Sequence, residues 1–387
     1  MIRNRTRGNR TARPELVDPR SGPPQAPAAP PTTRTEQVAA LRPQYQAELA
    51  AGTARFFAPR RNDCPWCGSR RLRVRMRTSD LLQHKPGRFV LDACEDCGHI
   101  FQNPQLNENG LAFYYRDFYD GLGEENLAGL FRSHSRFHRP RAEAVLPFAD
   151  APKTWLDVGT GHGHFCEAAR AVLPRTAFDG LDIGAGVESA ERLGRLRRGY
   201  RGSFTGLAPG LATDGYDVIS MFHYLEHSAD PDTELAAARE ALHPGGLLIV
   251  EVPDPRSRFA RLLGRWWLPW LQPQHLHLFP VGNLRERLAA HGFTVVAEEH
   301  AGPHDPVDLL AATCLAVNRA APHRDEPWFA ETPGTLRRVL RGAVLGAGIP
   351  FMVVAHLLDL LLKPLAHRWG LSNAYRVVAR REGQQDQ

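Results

Sequence analysis

The segment from Thr154 to Gly163 constrains the fold of this chain more than any other. It reads TWLDVGTGHG, a short apolar run that ends in an acid and is followed by three glycines spaced two apart. This pattern predicts a buried strand, a tight loop and a helix, because glycine has no side chain to keep a ligand from the backbone N–H groups. A helix N-terminus in turn favours an anionic ligand. The segment therefore predicts a nucleotide-type site on an α/β sheet.

The next apolar runs extend this pattern. Residues 178–183 supply an acid, Asp182, roughly 20 residues on, where doubly wound folds place a carboxylate against ribose hydroxyls. Residues 216–222 and 247–253 are predicted as the fourth and fifth buried strands of the sheet, the fifth after the turn Pro244-Gly245-Gly246. The spacing D-x-G-x-G-x-G differs from the dinucleotide fingerprint G-x-G-x-x-G. It therefore favours S-adenosylmethionine over a dinucleotide.

In order and spacing these segments resemble the class I S-adenosylmethionine-dependent methyltransferases. The resemblance covers roughly residues 140–300 and rests on the glycine loop, the ribose acid, the YDVI and LEH blocks and the HPGG turn. It implies an α/β fold with a doubly wound, mostly parallel, seven-stranded Rossmann-like sheet. It also implies an enzyme that uses S-adenosyl-L-methionine. Another α/β nucleotide binder and a non-enzymatic cofactor-binding scaffold are the alternatives.

The resemblance also assigns cofactor contacts. The acid and glycine loop would meet the methionine moiety, the second acid the ribose, and the backbone after the fourth strand the amino group. The cofactor-binding residues implied in this way are Asp157, Gly159, Thr160, Gly161, Gly163, Asp182, Ile183, Met221 and Phe222. Many relatives carry an acid for the adenine amine near the end of the third strand. Here Gly202-Ser203-Phe204 stands in that neighbourhood, so the adenine contacts are unassigned, with Ser203 and Phe204 as the only candidate substitutes.

Transfer to a hydroxyl or amine needs a proton acceptor, and histidine suits the task because its usual pKa is near neutral. We predict His223 as the first candidate, since it directly follows the fourth strand. His275, which resembles the histidine of the family's H-x-x-x-F block, either lines the acceptor pocket or pins a loop. His227 with Glu226 is interpreted as structural. Methylation of an activated carbon would need none of these histidines.

Four of the six cysteines form two C-x2-C pairs, Cys64 with Cys67 and Cys94 with Cys97, and a glycine follows each pair. Paired knuckles of this kind are typical of a structural zinc site, although the gap between them is slightly longer than in most zinc ribbons. Two disulfides and a redox dithiol are the alternatives, the first unfavourable in the cytoplasm. We predict a Zn2+ ion held by the four thiolates.

Arginines alternate with apolar residues between the knuckles, from Arg71 to Arg77. They could face phosphates or form a solvated surface. A ribbon joined through the aromatic block FYYRDFY to a methyltransferase core resembles a bacterial group that modifies natural products or surface glycans. This resemblance favours a small-molecule or glycosyl acceptor and disfavours a nucleic-acid partner. The aromatic block either places Tyr115 or Tyr119 near the sulfonium or forms a packing helix.

The net charge of +6 comes almost wholly from arginine, since lysine occurs only at 85, 153 and 363. This skew is weak evidence for a polyanionic partner. Residues 1–55 begin with an Arg- and Pro-rich stretch that has few large apolar residues, and they are predicted to be a disordered tail. The tail shows no secretory signal, so a cytoplasmic protein is expected.

The C-terminal part is the least regular. Residues 343–362 are almost purely apolar, and we predict a kinked helix that packs on the core, with a membrane-surface contact as the second choice and a membrane span as the third. An antiparallel seventh strand is predicted at 373–380. The predicted domains are the tail 1–55, a zinc-ribbon module 56–105, connecting helices 106–150, the cofactor-binding core 151–300, a helical insertion 301–370 covering the acceptor, and a closing strand and tail 371–387.

The composition and motifs together predict a methyltransferase that acts on a hydroxyl, amine or carbon of a small-molecule or glycosyl acceptor. The alternative is an RNA or protein methyltransferase that docks its substrate with the ribbon and basic tail. Nucleobase amino methylation is disfavoured, because the corner after the fourth strand reads Ser220-Met221-Phe222-His223 instead of D/N-P-P-Y/F.

Overall fold

The computed structural model describes residues 33–117, 135–149, 151–213, 215–366 and 368–383. Two sheets organise these residues. In chain order the strands are β1 (Leu72–Thr78), β2 (Phe89–Cys94), β3 (Ile100–Gln102), β4 (Thr154–Val158), β5 (Ala177–Asp182), β6 (Gly199–Arg201), β7 (Tyr216–Phe222), β8 (Leu242–Pro253), β9 (His277–Leu278), β10 (Phe293–Glu299) and β11 (Ala374–Arg381).

Helices flank the larger sheet and fill the connections. They are α1 (Arg34–Leu49), α2 (Glu108–Tyr115), α3 (Ser135–Glu143), α4 (His164–Ala169), α5 (Gly186–Arg192), α6 (Phe204–Leu211), α7 (Pro231–Ala241), α8 (Arg258–Leu262), α9 (Val281–Ala290), α10 (Asp308–Ala320) and α11 (Thr335–Leu362).

The larger sheet has seven strands in the order β10-β11-β8-β7-β4-β5-β6. Neighbouring strands from β8 through β7, β4 and β5 to β6 run parallel, whereas β11 is antiparallel to both β8 and β10. Because helices cover both faces, the central strands are continuous apolar runs, and Trp155 and Leu156 in β4 are fully buried. The predicted doubly wound sheet is confirmed, and the closing strand expected at 373–380 is β11.

The smaller sheet joins the cysteine-rich segment to the core. Its order is β1-β2-β3-β9, with antiparallel neighbours throughout. The two residues of β9 come from the methyltransferase-like half of the chain, where His277 pairs with Phe101 and Leu278 with Ile100. The two modules predicted as separate domains therefore share a sheet.

The disordered tail predicted for residues 1–55 is wrong for α1. Thr33 caps this helix in a capping box with Glu36. Its buried residues Val38 and Tyr45 lie seven positions apart on one face, and Tyr45 packs against Phe113 and Trp328. Residues 1–32 of the predicted tail lie outside the described part of the chain.

The C-terminal insertion consists of α10 and α11, which pack against each other between β10 and β11. The packing predicted for residues 343–362 is limited to one side of the helix, which contacts α10. Of the 28 residues of α11 only Gly348, Ala355 and Asp359 are buried, and these lie along one narrow stripe. Among the described residues, one helix, Thr335–Leu365, is long and apolar enough to cross a membrane by length and composition.

Candidate cofactor and acceptor site

The glycine loop lies at the carboxyl end of β4, and its three glycines have positive φ angles of 79°, 54° and 71°. A Cβ on Gly159 would come within 2.8 Å of the Tyr224 ring, and one on Gly163 within 3.0 Å of the Ala190 side chain. A Cβ on Gly161 would meet nothing within 4 Å. Packing therefore explains the outer two glycines, whereas Gly161 faces open space that a ligand can enter.

Asp182 stands beside this opening at the carboxyl end of β5. Its two carboxylate oxygens accept hydrogen bonds from the backbone N–H groups of Gly161 at 2.9 Å and Gly184 at 2.7 Å. Each oxygen keeps a further lone pair, so the carboxylate can also accept ribose hydroxyls. The next side chain, Ile183, is 70% exposed and presents apolar surface beside the same opening. Strand, loop and carboxylate thus form one edge suited to a nucleoside.

Asp157 lies beneath the loop and is only 4% exposed. The hydroxyl of Ser220 donates to its Oδ1 at 2.7 Å, and Trp155 Nε1 donates to that hydroxyl at 2.8 Å. Burial raises the pKa of Asp157 to about 6, against the hydrogen bonds from Ser220 and Thr160. Thr160 is itself nearly buried. These residues fix the loop from below.

The other predicted cofactor residues are placed differently. The Met221 side chain is fully buried, so only its backbone can face a ligand, while Phe222 is half-buried beneath the Arg141 guanidinium, 4.6 Å from the ring centroid. Ser203 caps α6 by accepting from Gly206 N, and Phe204 is fully buried. Phe204 therefore cannot substitute for the missing adenine acid.

His223 lies between two buried carboxylates. Its Nδ1 is 3.1 Å from Glu226 Oε1 and its Nε2 is 3.5 Å from Glu251 Oε1. Burial alone would lower the pKa of His223, but the hydrogen bonds to Glu226 and Glu251 outweigh burial and raise it to about 9. The imidazole is then protonated at pH 7 and has no lone pair for a substrate proton, which is the opposite of what the predicted base needs.

Two buried arginines complete this cluster, and sequence reasoning missed both. Arg141 and Arg376 donate to opposite oxygens of Glu251, at 2.5 Å and 2.7 Å. Burial would raise the pKa of Glu251, but the positive charges of Arg141, His223 and Arg376 hold it well below its usual value. Arg141 lies in α3 and Arg376 in β11, each more than 100 positions from Glu251 in the sequence. No local sequence pattern therefore connects the three residues.

The neutral imidazoles lie on the far side of Glu226. His227 is half-buried, and its Nδ1 lies 3.1 Å from the Gln274 carbonyl oxygen. His275 is 5% exposed, its Nδ1 lies 2.7 Å from the Pro269 carbonyl oxygen, and its ring packs edge-on against His227. Burial lowers both pKa values, that of His275 to about 3. This geometry favours the interpretation in which His275 fixes a loop over the one in which it lines the acceptor pocket.

Tyr115 brings the aromatic block to the same place. Its hydroxyl donates to the Gln274 carbonyl at 2.9 Å and lies 2.9 Å from His227 Nδ1. The end of α2 is held by Lys85, whose ammonium donates to the carbonyls of Phe113 and Arg116. Packing and site contact therefore both occur in this block, and Tyr119 lies outside the described residues.

The four predicted metal-binding cysteines converge. The Sγ atoms of Cys64 and Cys97 are 3.7 Å apart, those of Cys67 and Cys94 are 3.6 Å apart, and all four lie within 4.8 Å of one another. An ion held tetrahedrally at about 2.3 Å from each sulfur would separate the sulfurs by about 3.8 Å. The donor set and its spacing therefore fit one zinc ion.

Two of the four arginines from Arg71 to Arg77 lie beside acids of the second cysteine knuckle. Arg71 lies 2.7 Å from Asp96, Arg73 lies 4.0 Å from Glu95, and the Arg75 guanidinium lies over the Trp270 ring. This surface is mixed in charge. It does not present the row of unmatched cations that a phosphate backbone needs.

Residues 131–298 match the methyltransferase domain family. That match covers the glycine loop, the ribose acid and the parallel strands β4 to β8 of the larger sheet. The chain contains a class I S-adenosylmethionine-dependent methyltransferase domain.

Curated relatives of the methyltransferase domain carry the name ubiquinone biosynthesis O-methyltransferase. The protein of Cereibacter sphaeroides is 35% identical over 140 residues, which are 35% of this chain and 55% of that protein. The protein of Azotobacter vinelandii is 29% identical over 135 residues, which are 33% and 57%. The chain thus spans about half the length of the curated relatives it matches. A solved methyltransferase structure from Archaeoglobus fulgidus aligns with 65% of this chain and 99% of its own, at 15% identity and a TM-score of 0.41.

Proposed function

We propose that this protein transfers a methyl group from S-adenosylmethionine to a hydroxyl group of a small-molecule acceptor. The observation that carries the proposal is the shared edge of the sheet, where the open glycine loop and Asp182 follow β4 and β5 and the histidine cluster follows the neighbouring strand β7. The O-methyltransferase names of the curated relatives support the choice of oxygen. Amine, carbon and glycosyl acceptors are the other forms of this chemistry.

The residues present fit the cofactor. Bound S-adenosylmethionine would supply an electrophilic methyl group, so the protein chiefly has to align donor and acceptor. Gly161 leaves the space for the ligand, Asp182 offers lone pairs to the ribose, and Ile183 offers an apolar face to the base. The loop is already held by Asp157 and Asp182, which limits the ordering that binding requires.

His227 is the imidazole best placed to accept the proton of the acceptor hydroxyl. The Gln274 carbonyl can only accept, so Nδ1 of His227 carries the hydrogen and Nε2 keeps its lone pair. Its lowered pKa keeps it neutral at pH 7. We therefore propose that His227 is the base and that His223 contributes a fixed positive charge, in place of the base first predicted at His223 or His275.

We also propose that Cys64, Cys67, Cys94 and Cys97 hold a structural zinc ion. The turns that aim the thiolates are in place, since Gly68 N donates to Cys64 O and Gly98 N to Cys94 O, both glycines having φ near 75°. The set offers four protein ligands and so resembles a structural site, where catalytic sites keep a position open. The ion would tie β1 and β2 to the knuckle loops.

A methyl-transfer assay tests the proposed reaction. Purified protein, S-adenosylmethionine labelled in the methyl group and a panel of hydroxyl-bearing small molecules should give S-adenosylhomocysteine together with a labelled product. A matched analogue of any accepted compound, with its hydroxyl already methylated, should give neither. Binding of the cofactor without transfer to any acceptor would favour a non-enzymatic cofactor-binding scaffold. Equal turnover of the blocked analogue would show that the methylated atom is a carbon or nitrogen and not the hydroxyl oxygen.

A further inference from the structure

Helix α11 exposes a long apolar face to solvent. Its residues from Gly342 to Leu362 are apolar or glycine except for Pro350, His356 and Asp359, yet most of this stretch faces solvent. Phe351 is 68% exposed and Leu361 is 69% exposed. A surface helix of a water-soluble protein normally turns polar residues outward, and an apolar patch of this length marks a binding surface.

The one acid of α11 is turned away from this surface. Asp359 is 2% exposed, and its carboxylate accepts the backbone N–H groups of Leu309 and Leu310 at 3.0 Å and 2.9 Å. It therefore caps the N-terminus of α10. Because Asp359 is the one acid of α11, the outer face of the helix carries no negative charge.

Protein lines one side of α11 along most of its length. Asp359 contacts the start of α10, a Cβ on Gly348 would meet Val317 in its last turns, and Arg341 donates to Asn318 and to the Pro322 carbonyl. A spanning orientation would draw α10 and these polar groups into the hydrocarbon. The contacts therefore favour a helix that lies in the plane of a surface, with its free side outward.

Basic residues stand at both ends of the apolar strip. Arg337 and Arg338 are exposed before it, Lys363 and Arg368 are exposed after it, and Trp369 is half exposed at the second end. A second copy of this helix would place basic ends against basic ends whether it packed parallel or antiparallel. An anionic lipid surface instead pairs with all four charges and accepts the apolar strip and the tryptophan.

We propose that α11 docks this protein on anionic lipid bilayers, lying in the membrane plane with residues 349–361 inserted among the acyl chains. This inference is independent of the proposed reaction. The end of β10, which leads into α10, and the start of β11, which follows α11, both lie beside the carboxyl end of β8. Docking through α11 therefore holds the edge of the sheet that carries the glycine loop near the membrane.

Co-sedimentation of the full chain with vesicles tests the docking. Vesicles of phosphatidylcholine with about a third phosphatidylglycerol should bind the protein, and phosphatidylcholine alone should bind it roughly tenfold or more weakly, since each basic residue near an anionic surface contributes about fivefold. The double variant Leu357→Glu/Leu361→Glu should weaken binding at least tenfold. Leu193→Glu, an equally exposed leucine at the end of α5, should have no effect.

Both leucines are exposed, so the double variant should keep the thermal unfolding profile of the unmodified protein, which circular dichroism checks. Equal vesicle binding by the double variant and the unmodified protein would overturn the proposal, as would no binding by either. Light scattering tests whether a second copy of the chain occupies this face instead. A dimer that the double variant abolishes, without vesicle binding, would assign the face to a second copy and also overturn it.

Discussion

Replacing His223 by glutamine should remove a pH-dependent part of the folding stability. The pKa of His223 is about 9 in the folded protein and 6.5 in its ordinary state, and the hydrogen bonds to Glu226 and Glu251 cause the rise against the effect of burial. A shift of this size corresponds to about 3 kcal/mol at full strength. The side chain is a third exposed, so solvent screening reduces the contribution to about 1–2 kcal/mol.

The sign follows from the direction of the shift. A folded-state pKa above the unfolded value means that the folded protein binds the proton more tightly. The contribution is therefore fully present below pH 6.5 and is lost as the pH rises through about 9. Within this window the unmodified protein should lose stability relative to the His223→Gln variant.

Urea unfolding of both proteins at pH 6, 7.5 and 9.5 measures the effect. The difference in unfolding free energy between unmodified protein and variant should shrink by about 1–2 kcal/mol from the lowest to the highest pH. His356→Gln, on the exposed face of α11, is the matched control and should show no such trend. A difference for His223→Gln that stays constant across this range would refute the assignment of His223 as a cation held by two carboxylates.

Three further outcomes are expected. The purified protein should contain about one zinc ion per chain, and Cys67→Ser should lose it while the larger sheet stays folded; less than about half an equivalent in elemental analysis of the unmodified protein would contradict this. His227→Asn should lower kcat by roughly 10²-fold or more with little change in the KM for the cofactor, whereas an unchanged kcat would place the base elsewhere. Affinity for structured RNA should be weak and should vanish between about 50 and 200 mM salt, and submicromolar binding at the higher salt would favour the RNA-methyltransferase alternative.

The sheet was predictable because its signals are local. The apolar runs, the turn at Gly245 and the loop glycines each fix one element, and the topology follows from the resemblance. The helix α1 carried a similar signal, with Val38, Leu41, Tyr45 and Leu49 at helical spacing after a capping box. The prediction of a disordered tail combined this segment with the Arg- and Pro-rich residues before it, and their composition outweighed the helical pattern.

The charge cluster and the role of Asp359 could not be predicted in the same way. Glu251 meets Arg141 and Arg376 only after three distant elements pack together, and the same packing converts His223 from a base into a cation. Asp359 looked like a charge on an apolar helix until its partner, the N-terminus of α10, was known. A one-dimensional pattern shows which groups are present but not which of them neutralise one another.

Calorimetric titration with S-adenosylmethionine tests the central claim most directly. The unmodified protein should bind with a micromolar Kd, roughly −7 to −8 kcal/mol. Gly161→Val should bind at least tenfold more weakly because its side chain fills the open space at the loop. Gly245→Val is the matched control, since Gly245 also has a positive φ and open surroundings but lies near the start of β8, at the opposite edge of the sheet from the glycine loop, and it should bind like the unmodified protein. Equal affinity of the two variants, or no binding by any of the three proteins, would contradict the account.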